Sequence, residues 1–95
     1  EPVSNHDYAG LRQVVEALPC DVNAGEHEYN KWQFRDLILH GNPDTLNLDL
    51  IKCAGLTECR KVAALGQCFE KEIMVHNTRP TLATAASLHL CAGIT

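Results

Sequence analysis

Apolar residues near the start of the chain recur at steps of three and four, which is the period of an amphipathic helix. Members of this first run are Tyr8, Leu11, Val14, Val15 and Leu18. Asn5 or Asp7 can cap the helix, and Pro19 ends it because proline lacks the N–H that a continuing helix needs. Turn-forming residues follow over 20–25, and the pattern predicts a second helix over residues 26–40.

The next segment has two interpretations. The Asn42-Pro43-Asp44 stretch supplies a cap, a proline at the first helical position and a carboxylate beside the positive end of the helix dipole. Leucines at every second position also fit a strand, and these are Leu46, Leu48 and Leu50. The cap outweighs the alternation, so we predict a third helix that ends near Gly55.

Two more helices are predicted in the second half of the chain. Thr57 caps a segment over residues 58–76, whose apolar face contains Cys59, Val62, Ala63, Gly66, Phe69 and Ile73. A last segment opens at Arg79-Pro80 and is apolar enough to be buried on most sides, which predicts a central helix. The pattern therefore predicts an all-α fold, a compact bundle of four to five short helices that forms a single domain over residues 1–95.

Five cysteines change this picture, and they are Cys20, Cys53, Cys59, Cys68 and Cys91. A chain of 95 residues buries only about 60–65% of its unfolded surface, so covalent crosslinks would help to stabilise it. An odd number of cysteines in a small chain that begins Glu1-Pro2 predicts a processed, secreted, extracellular protein with two disulfides. The alternative is a domain of a longer intracellular protein with reduced thiols.

The predicted helices suggest how these cysteines pair. Cys53 and Cys59 flank the corner at Gly55, where a local bridge is sterically reasonable. Cys20 and Cys91 then form a long-range pair that ties the first corner to the last helix. Cys68 is left over, either as a buried free thiol or as an intermolecular bridge in a homodimer.

The stretch LIKCAGLTECRKV at residues 50–62, followed by Cys68 and Cys91, resembles the elicitins. These are small secreted all-helical oomycete proteins that bind sterols and are sensed by plants. They contain six cysteines in three bridges, with a close pair that follows a Leu-x-x-Cys-Ala stretch. The resemblance implies an extracellular pathogen protein with an apolar cavity and a host receptor.

Charge and chemistry exclude several classes. The net charge of −4 comes from dispersed residues, which predicts no nucleic-acid partner, and no apolar run is long enough to cross a bilayer. Oxygen and nitrogen ligands cluster in two places without the spacing of a metal site, namely Asp21, Glu26, His27 and Glu28, and Asn42, Asp44, Asn47 and Asp49. We therefore predict no metal, no cofactor, no catalytic residue and no enzymatic activity.

Two binding functions remain. The first is a secreted effector or signalling protein that contacts a host or cell-surface protein through Tyr29, Trp32 and Arg35. Trp32 and Phe34 diverge by about 200° around a helix, so one of them is expected to be exposed. The second is a carrier of a sterol or fatty acid, in a cavity lined by Leu11, Val15, Phe69, Ile73, Leu82 and Leu88.

Overall fold

Helices alternate with strands in the computed structural model of this chain, which describes residues 2–94. In chain order the elements are α1 (Tyr8–Ala17), β1 (Asn23–Ala24), α2 (Lys31–Asp36) with a π-helical continuation (Leu37–Gly41), β2 (Thr45–Asp49), α3 (Leu56–Cys68), β3 (Glu72–His76) and α4 (Leu82–Ala92). The fold is therefore α/β, and the predicted all-α bundle is wrong. The predicted processed terminus at Glu1 lies outside the described residues.

The three strands form one parallel sheet in the order β1-β2-β3, so β2 is central. β2 and β3 pair over their whole length, from Thr45 opposite Glu72 to Asp49 opposite His76. β1 pairs only with the first half of β2, where Asn23 lies opposite Thr45. Because the strands are parallel, the loops that follow them meet at one edge of the sheet.

β2 occupies the segment that was predicted as the third helix. Leu46 and Leu48 are completely buried, as expected for a central parallel strand. Asp44 does not lie in the first turn of a helix, and its Oδ2 instead accepts a hydrogen bond from the backbone N–H of Val22 at 2.8 Å. The carboxylate thus joins the entry to β2 to the entry to β1, and the alternating leucines were the correct signal.

The predicted fourth helix over residues 58–76 divides into α3 and β3. The chain reverses between them at Glu70, which has a left-handed φ of 56°. Gly66 allows α3 to lie close on the sheet, since a Cβ at this position would be 2.7 Å from both Ile73 Cδ1 and Leu46 Cδ1. The apolar residues beyond the reversal therefore belong to a strand and not to a helical face.

The first predicted helix is confirmed, and the second is shorter than predicted. Asp7 caps α1 by accepting a hydrogen bond from the backbone N–H of Gly10 at 2.8 Å. α2 begins at Lys31, because Asn30 caps it through hydrogen bonds from the next backbone N–H groups. Residues 26–29 are consequently free to form the loop after β1.

α4 was predicted as a buried central helix, and this is wrong. Leu82 is 81% exposed and Leu88 is 66% exposed, whereas Leu90 is buried. The core lies between the sheet and the helices, and its completely or nearly completely buried members include Phe34, Leu37, Leu46, Leu48, Val62 and Leu90. Within residues 2–94, no helix combines the length and the apolar character that crossing a bilayer requires.

All five cysteines are free thiols, so neither predicted disulfide is formed and the disulfide-stapled architecture is wrong. Cys53 and Cys59 lie in the core and contact each other through a thiol hydrogen bond. This hydrogen bond, together with burial, raises the pKa of Cys53 far above its ordinary value. Cys20, Cys68 and Cys91 are exposed. The buried pair therefore packs as two small apolar side chains.

We expect native alkylation to modify Cys20, Cys68 and Cys91 rapidly and to leave Cys53 and Cys59 unmodified until the protein unfolds. Mass spectrometry of peptides before and after denaturation would measure this. The Cys68→Ser variant is the control and should lose one rapid site. Two thiols that stay unmodified after denaturation without reductant would contradict the prediction, because they would indicate a bridge.

Candidate functional site

Three ionisable side chains meet where the strands end. Glu26 follows β1 after Gly25, Asp49 is the last residue of β2, and His76 is the last residue of β3. Asp49 and His76 lie opposite each other in the sheet register. Ligands of open α/β sheets bind outside the carboxyl ends of the strands. This edge is therefore the candidate functional site.

His76 lies between the two carboxylates. Its Nδ1 is 3.0 Å from Asp49 Oδ2, and its Nε2 is 3.0 Å from Glu26 Oε2. The Asp49 side chain is only 8% exposed, whereas the Glu26 side chain is 31% exposed. The cluster is thus closed on the Asp49 side and open to solvent on the Glu26 side.

Asp49 is held in its ionised form. Burial acts to raise its pKa, but hydrogen bonds from His76 and from the backbone N–H groups of Lys52 and Ile51 outweigh burial and lower the pKa below its ordinary value. Asp49 Oδ1 accepts from Ile51 at 2.8 Å and from Lys52 at 3.2 Å, while Oδ2 faces His76. Both carboxylate oxygens are therefore occupied by donors.

This arrangement determines which nitrogen of His76 can exchange a proton. Because Asp49 is an acceptor, Nδ1 of His76 carries the hydrogen that it donates. Nε2 faces Glu26 Oε2 at 3.0 Å on the open side of the cluster, so the exchangeable proton of His76 is the one that lies between Nε2 and Glu26. A histidine oriented by a carboxylate is a common arrangement for general acid–base catalysis. The site can take up or release a proton at Nε2.

Glu26 and Asp49 were predicted as oxygen ligands without a site, and His76 was not predicted as a functional residue. The predicted helices separate these residues, and only the parallel sheet brings them together. The signal that could have found Asp49 and His76 is a polar residue that ends a strand-like run, as in Ile73 to His76. Glu28, from the same acidic cluster, is buried and accepts a hydrogen bond from the Tyr8 hydroxyl at 2.9 Å.

The predicted partner-binding residues lie away from this cluster, on α2 and the loop before it. Trp32 is 58% exposed while Phe34 is completely buried, so the two aromatic rings do have different environments. The Arg35 guanidinium carbon is 5.4 Å from the centre of the Trp32 ring, within the range of a cation–π contact. Tyr29 is also exposed.

The residues predicted to line an apolar ligand cavity do not come together around one. Leu11 is buried in α1, and Val15 and Ile73 are partly buried against the core. Phe69, Leu82 and Leu88 are instead exposed. A Leu82-lined groove contains Arg79 and opens to solvent beside the loop after β2. The predicted carrier cavity is therefore wrong.

Comparison with known proteins identifies relatives over the whole chain. The family described as Enolase C-terminal domain-like matches residues 1–95. An L-rhamnonate dehydratase from Saccharopolyspora erythraea is 31% identical over 74 residues, which cover 76% of this chain and 19% of that protein. A D-xylonate dehydratase from Haloferax volcanii is 30% identical over 93 residues, which cover 98% of this chain and 22% of that protein.

Solved structures agree with these relatives. The 3,6-anhydro-D-galactonate cycloisomerase from Zobellia galactanivorans superposes with a TM-score of 0.93 at 33% identity, over 97% of this chain and 26% of that one. A mandelate racemase/muconate lactonizing protein from Paracoccus denitrificans, complexed with magnesium, gives a TM-score of 0.93 at 29% identity over 100% of this chain and 26% of that one. The chain thus spans about a fifth to a quarter of the length of the relatives it matches.

These matches overturn the functional interpretation of the sequence. The resemblance to elicitins is wrong, because the family match covers the whole chain and the fold is α/β. The predicted non-enzymatic effector with a host protein partner, and the alternative lipid carrier, are also wrong, since the matching proteins are named for catalysed reactions. The extracellular location stays a prediction.

Proposed function

The chain belongs to the enolase C-terminal domain-like family, and from this membership we propose that it supplies proton-transfer residues to an enzyme that dehydrates sugar acids. The observation that carries the proposal is His76, held between Glu26 and Asp49 at the carboxyl edge of the sheet. Relatives named for L-rhamnonate, D-xylonate and D-galactonate support the substrate class. Each of these substrates is a carboxylate with hydroxyl groups on the neighbouring carbons.

Dehydration of such an acid needs one proton removed and one proton returned. His76 Nε2 takes the proton from the carbon next to the carboxylate, and the electron pair of that C–H bond forms a carbon–carbon double bond. The hydroxyl on the next carbon leaves with the proton that His76 returns, which produces water and an enol that rearranges to a 2-keto acid. Asp49 stabilises the imidazolium between these two steps.

Glu26 is suited to hold a divalent cation. Carboxylate oxygens are the ligands that magnesium prefers, and the Glu26 side chain is 31% exposed toward the open side of the site. When bound, the ion stabilises the negative charge that develops on the substrate carboxylate. Within residues 2–94, no group of three His, Cys, Asp or Glu residues is placed to hold a metal. We propose that Glu26 supplies one ligand and that residues outside this range supply the others.

The intact protein, supplied with magnesium, should convert L-rhamnonate, D-xylonate or D-galactonate to a 2-keto acid. Semicarbazone absorbance detects this product, and chromatography of the same samples detects a cycloisomerised product. Chelation with EDTA should abolish turnover, and added magnesium should restore it. An enzyme that turns over equally well with and without the chelator would contradict the cation's role.

Glu26→Gln should weaken manganese binding at least about 100-fold, because the amide replaces a charged ligand by a neutral one. Isothermal titration calorimetry of the intact protein without substrate would measure the affinity. Glu72→Gln is the matched control, since Glu72 is exposed at the opposite end of β3 and should bind manganese normally. Equal affinities for Glu26→Gln and the unmodified protein would exclude Glu26 as a ligand.

A further inference from the structure

A second histidine lies beside the site and takes no part in the proposed proton transfer. His27 follows Glu26 in the loop after β1, and its imidazole contacts two charged side chains. Its Nδ1 is 3.1 Å from Lys52 Nζ, and its Nε2 is 3.4 Å from Glu26 Oε1. The ring therefore bridges the loop after β1 and the loop after β2.

Lys52 determines how this ring is protonated. An ammonium group has three hydrogens to donate and no acceptor, so His27 Nδ1 must accept the hydrogen bond. The hydrogen of a neutral imidazole then resides on Nε2, which is the nitrogen that faces Glu26. The contact with Lys52 thus gives His27 the tautomer that donates to the carboxylate.

These contacts connect the two carboxylates by two routes, one through His76 and the other through His27 and Lys52. The backbone N–H of Lys52 donates to Asp49 Oδ1 at 3.2 Å, so Lys52 contacts Asp49 with its main chain and His27 with its side chain. Glu26 Oε1 faces His27 Nε2, and Glu26 Oε2 faces His76 Nε2. When His76 is the neutral base, its Nε2 carries no hydrogen, so His27 is the residue of the two that can orient the Glu26 carboxylate.

We infer that His27, oriented by Lys52, is a positioning residue that holds the Glu26 carboxylate in the orientation that binds the cation. The inference rests on the proposed role of Glu26 as a ligand. Residues that hydrogen-bond to a metal ligand without contacting the metal typically contribute about 10–100-fold to metal affinity or activity. His27 contacts neither the substrate nor the reacting atoms in this scheme, and it acts through Glu26.

Manganese titration of the intact protein without substrate tests the inference separately from turnover. His27→Phe should weaken manganese binding about 10–100-fold, because the ring can no longer donate to Glu26. His27→Gln places an amide N–H near the position of Nε2 and should recover most of the affinity. Lys52→Met should weaken binding less than His27→Phe, since the His27 ring remains but its tautomer is no longer fixed.

The double variant His27→Phe, Lys52→Met tests whether Lys52 affects manganese binding through His27 or independently of it. If Lys52 acts through His27, the double variant should bind manganese as tightly as His27→Phe alone. Additive losses, or normal affinity in His27→Phe, would overturn the inference. Failure of the proposed function would look different, because Glu26→Gln itself would then bind manganese normally.

Discussion

Asparagine in place of His76 is expected to lower kcat for sugar-acid dehydration by about 10²–10⁴-fold, the usual contribution of a positioned general base. The amide of asparagine can still donate to Asp49, but it cannot accept a proton from the substrate carbon. Manganese affinity should fall far less than it does in Glu26→Gln, because His76 contacts Glu26 Oε2 but is not proposed as a ligand. Steady-state kinetics with D-xylonate or D-galactonate, beside a manganese titration, would separate the two effects.

Two variants control this experiment. Asp49→Asn removes the charge that fixes the Nδ1 hydrogen of His76, so it should also lower kcat, and the double variant should be no slower than His76→Asn alone. His89→Asn changes a histidine on the exposed face of α4 and should leave kcat unchanged. Full activity in His76→Asn would remove the acid–base role from this residue.

Gly25→Ala is expected to lower the free energy of unfolding by about 2–5 kcal/mol, which combines backbone strain with overpacking. Gly25 has a φ of 125°, and a Cβ there would lie 2.8 Å from Phe34 Cε1. Phe34 lies on the buried face of α2, is completely buried and has little room to move. Because Gly25 immediately precedes Glu26, the same change should weaken manganese binding. Urea denaturation would measure the stability.

Gly55 offers a matched control for the backbone strain. Its φ is also positive, at 88°, but no atom lies within 4 Å of the place where a Cβ would be. Gly55→Ala should therefore cost only the strain, about 1–3 kcal/mol. Replacing Phe34 with leucine in the Gly25→Ala background should cost less than the sum of the two single changes. Equal losses in Gly25→Ala and Gly55→Ala would show that contact with Phe34 contributes nothing.

Local signals predicted the elements that depend on local contacts. The Asp7 cap and the apolar spacing of α1 were sufficient for that helix. The amphipathic spacing was also sufficient for α3, although this helix begins at Leu56 and the predicted Thr57 cap is wrong. β2 was not predicted because the Pro43-Asp44 pair that precedes it is typical of the first turn of a helix. Asp44 in fact accepts a hydrogen bond from the backbone N–H of Val22, just before β1. The carboxylate alone does not distinguish these two uses, and the alternating leucines that favoured a strand were outweighed by it.

The candidate site was missed for a related reason. Asp49 and His76 are 27 positions apart, and neither forms a motif with its sequence neighbours. The acidic cluster around Glu26 has no spacing that places two ligands on one helical face. Residues that a parallel sheet brings together come from separate strands and do not follow helical spacing. The cysteines were over-interpreted, because Cys53 and Cys59 fill space in the core as apolar residues do.

Parallel pairing of β2 with β3 also has a kinetic consequence. Asp49 reaches His76 only after α3 has closed the long connection between the two strands. Closing such a connection costs chain entropy before the pairing contacts repay it, so high-contact-order structure of this kind forms slowly. The histidine lies between its carboxylates at the ends of all three paired strands. Recovery of catalysis during refolding should therefore follow completion of the sheet and not the earlier appearance of helix.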